Sequence, residues 1–310
     1  MFCDFTLAQQ NKATTASDFQ PLVKKSVCYI VAAVIFNENK EVLMIQEAKP
    51  SCAGKWYLPA GRMEAGEDVA EAAQREVLEE TGLEFEVSTL LSVESATGSW
   101  FMFVVTGTVT AGRLKTLADA DSESLQAKWI VISDLTDLPL RARDVLPRIE
   151  LGRQYHTANF GAREEPWHPP IHPALRPHKK LLLRTVILVQ SETNNRMHVL
   201  VSENTAAHLP VCEIIPVQSV QSTLKNYMTE LFFGEIPPHK QHGLLSLEHC
   251  GRPAYSNDGC CLTLLISLQD PLESVCLIDN YYWLELDTMV GEQLLTRLAK
   301  NMTVPLVKIR

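Results

Sequence analysis

The chain has 310 residues, a formal net charge of −9 and 46% hydrophobic residues. That length accommodates two domains of ordinary size, and the acidic balance argues against an extended basic surface for a nucleic acid polymer. No apolar run approaches a membrane span, and the eight cysteines form neither a C-x-x-C pair nor a metal-spaced set, so the expectation is a cytoplasmic protein whose thiols sit in its core.

The first 20 residues are polar and lack the apolar stretch of a secretory leader; residues 1–25 read as a disordered tail. From Val27 to Phe36 the run is continuously apolar and β-branched, as in a strand buried on both faces. Asn37–Lys40 reads as a turn. Glu41–Glu47 then reads as the returning strand of a hairpin, with Val42, Leu43, Met44 and Ile45 apolar. Lys49–Gly54 is a loop, and Trp56–Gly61 leads out of it.

Residues 61–83 read as loop, helix and stop. Gly61 and Gly66 bracket the loop, and Glu67 and Asp68 put negative charge at a helix N-terminus. Val69, Ala72, Ala73 and Val77 form the apolar stripe, and Gly82 falls where a helix stop glycine belongs. Glu76, Glu79 and Glu80, three and four residues apart, share one side, where like charges repel by a few tenths of a kcal/mol. Arg75 relieves part of that repulsion. A solvated acidic face with one ion pair would account for these residues; so would a hard divalent cation, since oxygen-rich sites suit Mg²⁺ or Mn²⁺.

The longer spacing decides between the two. Gly61, Glu67, Arg75, Glu76, Val77, Glu79, Glu80, Gly82 and Leu83 match every fixed position of the Nudix box, and the chain resembles the Nudix hydrolase family. The approach Trp56-Tyr-Leu-Pro-Ala-Gly61 is similar to the family's W-x-x-P-G-G, with Ala60 replacing the first glycine. The resemblance implies an α/β fold, an α/β/α sandwich around a mixed sheet. It also implies hydrolysis of a nucleoside diphosphate linked to another group, with Mg²⁺ as cofactor and Mn²⁺ as a substitute. Carried over residue by residue, the metal ligands are the Gly61 carbonyl, Glu76, Glu79 and Glu80. Glu76 or Glu79 would be the base, Arg75 would orient Glu76, Glu67 would brace the loop, and Gly82 is structural. One alternating face of the second strand, Leu43 and Ile45 or Val42 and Met44, would lie under the bound nucleoside, Leu43 being the preferred residue; plain core is the other reading of all four. The first half as a whole resembles those Nudix enzymes that act on oxidised purine nucleoside diphosphates; ADP-ribose, nucleotide sugars and dinucleotide polyphosphates are alternative substrates. A Nudix-fold nucleotide-binding regulator is the rival class, but such proteins usually have a broken box.

Beyond the box, Glu86–Glu94 and Trp100–Val109 read as strands, and residues 118–123 as an acidic loop. Glu123 lies six residues before Trp129, the spacing at which related enzymes place one further metal-binding glutamate; a plain soluble loop acid is the other reading. Lys128–Leu135 reads as strand and turn, and Arg141–Tyr155 has helical periodicity. These bounds give a catalytic domain over residues 26–160. Five prolines between Glu164 and His178 make 161–178 a semi-rigid linker, with His168, His172 and His178 exposed on it.

Residues 179–310 repeat the same order of elements. Leu181–Gln190 and Met197–Ser202 match the first two strands, Leu209-Pro210 stands where Leu58-Pro59 stood, and Gln218–Phe233 is helical. Leu245–Glu248, Cys260–Leu268 and Tyr282–Asp287 match the later strands. In this register Glu76 faces Tyr227, Arg75 faces Asn226 and Glu80 faces Leu231; only Glu230 is kept from the acidic set. The second half is therefore expected to be a Nudix-like α/β domain without the metal site, its helix packed through Leu224, Met228 and Phe232; an unrelated α/β domain sharing only a generic strand-helix-strand order is the alternative. Whether it stabilises the first half, covers its cleft or binds a partner is open at this level, as is the oligomeric state.

Overall fold

A computed structural model describes residues 18–160, 167–203 and 207–309. The apolar run after Val27 gives β1 (Cys28–Ala33), and β2 (Val42–Glu47) follows the turn. The two do not form a hairpin ladder. They touch at one bridge, Phe36 with Val42, and then part. β1 takes β4 (Ala60–Arg62) on one side, antiparallel, and β6 (Trp100–Gly112) on the other, parallel. β2 instead pairs with β3 (Trp56–Tyr57) and β7 (Ser124–Ile130). Both strands are apolar on both faces, so each can sit centrally in its own sheet, and alternation alone could not show that they separate.

β5 (Leu83–Thr97) pairs antiparallel with β6, giving the mixed order β5-β6-β1-β4. α1 (Val69–Thr81) packs on one face, where Val69, Ala72, Ala73 and Val77 meet Val31, Ala33, Leu43 and Ile45. α2 (Val145–Phe160) covers the other, where Val145, Ile149 and Tyr155 meet Ala32, Val34, Val42 and Met44. Alternate residues of β1 and β2 thus face opposite helices. This is the expected sandwich, with α2 displaced toward the C-terminus from the helical stretch at 141–155.

The second half repeats the pattern apart from β3, which has no counterpart among its described residues. β8 (His178–Gln190) pairs parallel with β12 (Asp258–Leu268), β12 antiparallel with β11 (His239–Glu248), and β8 antiparallel with β10 (Val211–Glu213). The order β11-β12-β8-β10 therefore reproduces β5-β6-β1-β4 with every direction kept. β9 (Met197–Ser202) pairs antiparallel with β13 (Tyr281–Glu285), as β2 does with β7. Here β8 and β9 do stay joined, through Leu188–Gln190 and Met197–Val199, so what was two sheets becomes one. α3 (Val220–Leu231) packs Leu224 and Met228 into the core, with Phe232 buried just beyond its end; Tyr227 and Leu231 are buried there too.

The halves are not beads on a string. Residues 167–178 are pinned at His168 and Ile171, while Leu175–Pro177 lie exposed. Ile171 is buried, its N–H donates to Thr89 Oγ1 at 2.9 Å, and its carbonyl accepts from Leu90 N–H at 2.9 Å. His168, expected at the surface, is buried between Tyr155 and Trp167 and bonds through Nδ1 to the Pro169 carbonyl; His172 is exposed as expected. One continuous buried cluster runs from Val27 and Tyr29 through Ile171 to Leu181, Leu244 and Leu262.

Two late elements had no counterpart in the sequence reading. α4 (Thr288–Lys300) lies against β9, and β14 (Leu306–Lys308) crosses back to pair parallel with β5 at the edge of the first sheet. Just before it, Val304 bridges to Leu244 of β11, so this segment ties both sheets. The expected boundary at residue 179 therefore does not divide the hydrogen bonding. The seven described cysteines are free, with Cys260 and Cys261 fully buried. No helix among the described residues is long and apolar enough to cross a membrane.

Candidate active site

The site is built on α1. Asp68 caps its N-terminus, accepting from Ala70 N–H at 2.8 Å and Glu71 N–H at 3.0 Å, while the Glu71 carboxylate accepts from Asp68 N–H at 3.0 Å. This reciprocal capping box fixes where the helix begins. It ends at Gly82, whose φ of 74° terminates the last turn in the left-handed region. That end is docked on the strand system: Lys115 Nζ donates to the Glu79 carbonyl at 3.1 Å and Ser124 Oγ to the Glu80 carbonyl at 2.6 Å. A cation at a helix C-terminus is stabilised by the helix dipole.

Arg75 is the hub. Its Nε and Nη2 donate to the two oxygens of Glu67 at 2.6 and 3.0 Å, a bidentate fork. Its Nη1 reaches Glu76 at 2.8 Å and Glu79 at 3.0 Å, and Nη2 also donates to the Arg62 carbonyl at 3.1 Å. Glu67 in turn accepts from Glu64 N–H at 2.8 Å. The loop, the helix and the exit from β4 thus share one guanidinium.

The three carboxylates of the helix face differ sharply. Glu79 is half exposed; Glu76 and Glu80 are buried. Glu80 accepts from Ala60 N–H at 2.9 Å. Glu76 lies flat on Gly61, so close that a Cβ there would stand 2.1 Å from its carboxyl carbon and both oxygens. Glycine at 61 is a requirement of space. Burial pushes the Glu76 carboxyl up, against the pull of Arg75. Burial pushes Glu80 up to about 8, opposed by the Ala60 N–H and reinforced by Glu76. In Glu67 the opposite balance holds: Arg75 and the Glu64 N–H outweigh burial and lower it.

Desolvated carboxylates held against backbone, with no thiol or imidazole among them, are hard oxygen donors whose lost hydration a divalent cation would replace. The residues present therefore fit such an ion. Their oxygens do not converge as a set of three: Arg75 Nη1 stands between Glu76 and Glu79 and bonds both, while the Ala60 N–H holds Glu80. Among the described residues the trio that does converge is His178, Glu248 and Cys261 in the second half. That trio is a poor cation site, since Arg184 already donates to Glu248 at 2.9 Å.

The remaining expected residues divide. Glu123 lies beside Ser124, which touches α1, but the contact found for it is its own N–H to Asp121 at 2.9 Å; its carboxylate is not joined to the other three. Leu43 is enclosed in the core opposite Trp129, with no exposed surface. Two neighbours were missed. The positive charge of Lys49 acts on both Glu76 and Glu80. Glu47, at the end of β2, is buried against Arg141 at 2.7 Å and adds negative charge near Glu80. Neither belongs to a spaced pattern; a buried glutamate closing an apolar strand was the available signal for Glu47.

A sandwich with a loop-helix carrying these carboxylates defines a Nudix hydrolase, and the NUDIX domain model matches residues 28–149. The chain belongs to the Nudix hydrolase family, whose members generally work with a divalent metal ion. It is 40% identical over 303 residues to the mouse (Mus musculus) protein 8-oxo-dGDP phosphatase NUDT18, covering 93% of this chain and 89% of that one. The human (Homo sapiens) protein of that name is 40% identical over 296 residues, covering 91% and 88%. The zebrafish (Danio rerio) one is 39% identical over 258 residues, covering 81% and 76%.

Proposed function

We propose that this enzyme hydrolyses oxidised purine nucleoside diphosphates of the 8-oxo-dGDP and 8-oxo-GDP type to the monophosphate and phosphate, which would clear damaged nucleotides from the pool. The observation that carries this is the 40% identity to the mouse 8-oxo-dGDP phosphatase over both halves of the chain, joined to a complete box. Glu76, Glu79, Glu80 and the Gly61 carbonyl would hold Mg²⁺, with Mn²⁺ as a substitute. The ion, when bound, neutralises charge on the diphosphate and lowers the pKa of a water.

The chain's own groups do the rest. A water oxygen attacks phosphorus, the bridging P–O bond breaks, and the bridging oxygen leaves with one of the two phosphates. The water's proton passes to a carboxylate, Glu76 or Glu79. Half-exposed Glu79 is the one open to solvent; Glu76 is buried against Gly61. Arg75 holds both in place, and Glu67 holds Arg75. Glu123 is a further ligand in this reading if substrate or ion draws its loop inward.

A panel of 8-oxo-dGDP, 8-oxo-dGTP, ADP-ribose and a dinucleotide polyphosphate, with Mg²⁺, tests the substrate. The expected order puts 8-oxo-dGDP first by kcat/KM; ADP-ribose in first place would overturn the substrate while leaving the chemistry. Glu79→Gln and Glu80→Gln should each lower kcat on the order of 10²-fold, the scale of losing one preorganised charge-stabilising group, with the fold kept. Full activity of either variant at limiting Mg²⁺ would remove it from the ligand set, and an unchanged rate in Glu123→Gln would do the same for Glu123.

A further inference from the structure

The loop between β11 and β12 reaches across from the second half and seats on the box. His249 is fully buried; its Nδ1 bonds the Gly259 carbonyl at 2.8 Å and its Nε2 lies 3.3 Å from the Glu67 carbonyl. Gly251, at φ 67°, passes so close that a Cβ would stand 2.4 Å from that same Glu67 carbonyl oxygen. Arg252 donates through Nε to the Gly66 carbonyl at 3.0 Å and through Nη2 to the Glu71 carboxylate. Ala254 Cβ would meet a Cβ on Gly66 at ordinary contact, 3.7 Å. The loop is itself anchored from the first half, since Tyr29 Oη donates to the Asp258 carbonyl at 2.9 Å and Val23 N–H to its carboxylate at 2.8 Å.

These contacts fall on Gly66, Glu67 and Glu71, the residues that set where the box loop turns into α1. The Glu67 side chain then forks onto Arg75, and Arg75 holds Glu76 and Glu79. A backbone shift at Glu67 is passed by two hydrogen-bonded steps to the carboxylates. We propose that residues 249–252 are a positioning element for the active site: the second half, which lacks the acidic set, acts on hydrolysis by fixing the Gly66–Glu67 backbone and Glu71, and so the Arg75-centred array. This rests on the reading of Glu76, Glu79 and Glu80 as the cation site.

The test uses the full chain with Arg252→Ala and Gly251→Ala, read by Mn²⁺ binding without substrate, by hydrogen exchange of amides 64–76, and by kcat and KM. Arg252 is exposed, so its variant should melt within about 2 °C of the parent; Gly251→Ala forces the Glu67 carbonyl aside directly. Both should exchange faster over 64–76, bind Mn²⁺ about tenfold more weakly, the scale of losing a group that orients metal ligands, and lose kcat with KM little changed. Arg252→Lys, which keeps charge toward Glu71 but not the fork, should recover part of the loss. Parental Mn²⁺ affinity in both variants overturns the proposal, whether exchange is unchanged or faster; in the second case the loop is only a structural contact. Failure of the underlying site would show differently, as parental Mn²⁺ affinity in Glu79→Gln and Glu80→Gln.

Discussion

Gly61→Ala separates activity from stability. The new Cβ would lie 2.1 Å from the Glu76 carboxyl group, against an optimal carbon contact of about 3.5–4 Å, so the carboxylate must retreat by more than about 1 Å or swing to another rotamer. Either movement breaks its register with Arg75 and Glu80. A misplacement of about 1 Å in a catalytic array can cost roughly 10²-fold, which is about 2.7 kcal/mol of transition-state stabilisation. The backbone itself accepts alanine, since Gly61 is not in the left-handed region. Gly→Ala at a compatible position stabilises by about 0.4–1 kcal/mol through the unfolded chain, which offsets part of the local clash. The expected outcome is a kcat/KM lower by about 10²-fold with a melting temperature close to the parent's, measured on 8-oxo-dGDP across a Mg²⁺ titration. Activity within threefold of the parent, with the same Mg²⁺ requirement, would refute the view that Glu76 must rest on Gly61.

Two further predictions concern the scaffold. Arg148, buried, holds Glu94 through two bonds of 2.7 Å and Tyr57 Oη at 2.6 Å; Arg148→Met should destabilise by roughly 3–5 kcal/mol in urea unfolding, because it strands a buried carboxylate, and adding Glu94→Leu should recover most of that. In Glu248, burial would raise the carboxyl, but Arg184 and His178 outweigh it and lower the folded value. The unfolded carboxyl titrates near about 4.3, so the stability it contributes is complete above that pH and is lost as pH falls through the lower folded value. The gap between the parent and Glu248→Gln, clear at pH 7, should therefore narrow progressively as the pH falls below that of the unfolded carboxyl, and a gap that shows no narrowing in acid would exclude the carboxylate's charge as its source.

The box helix was legible in the sequence because its signals are local: a 3.6-residue stripe at Val69, Ala72, Ala73 and Val77, an acidic cap and a stop glycine. The repeat was legible for a related reason, since the apolar order survived where the acids did not. What escaped was non-local. Proline content gave an expectation of stiffness over 161–178 but could not show Ile171 bonding to Thr89 and Leu90. The three residues of β14 carry no mark of which sheet receives them. The Glu67 carbonyl has no side-chain identity at all, so nothing in the sequence points from His249 and Gly251 toward it. The same holds for Leu43, whose apolar character suits a cleft floor and a sealed core equally.

β14 also bears on the order of events during synthesis. Domains commonly fold N-terminal first as the chain leaves the ribosome. Here the first sheet can form early, but its β5 edge receives Leu306–Lys308, which emerge only after the whole second sheet has been made. Until then a nascent chain presents an uncovered strand edge beside an apolar surface, the arrangement that invites pairing with other chains. Premature termination within α4 would leave that edge permanently open, so a shortened product is expected to be a substrate for chaperones and proteases even with every residue of the box intact.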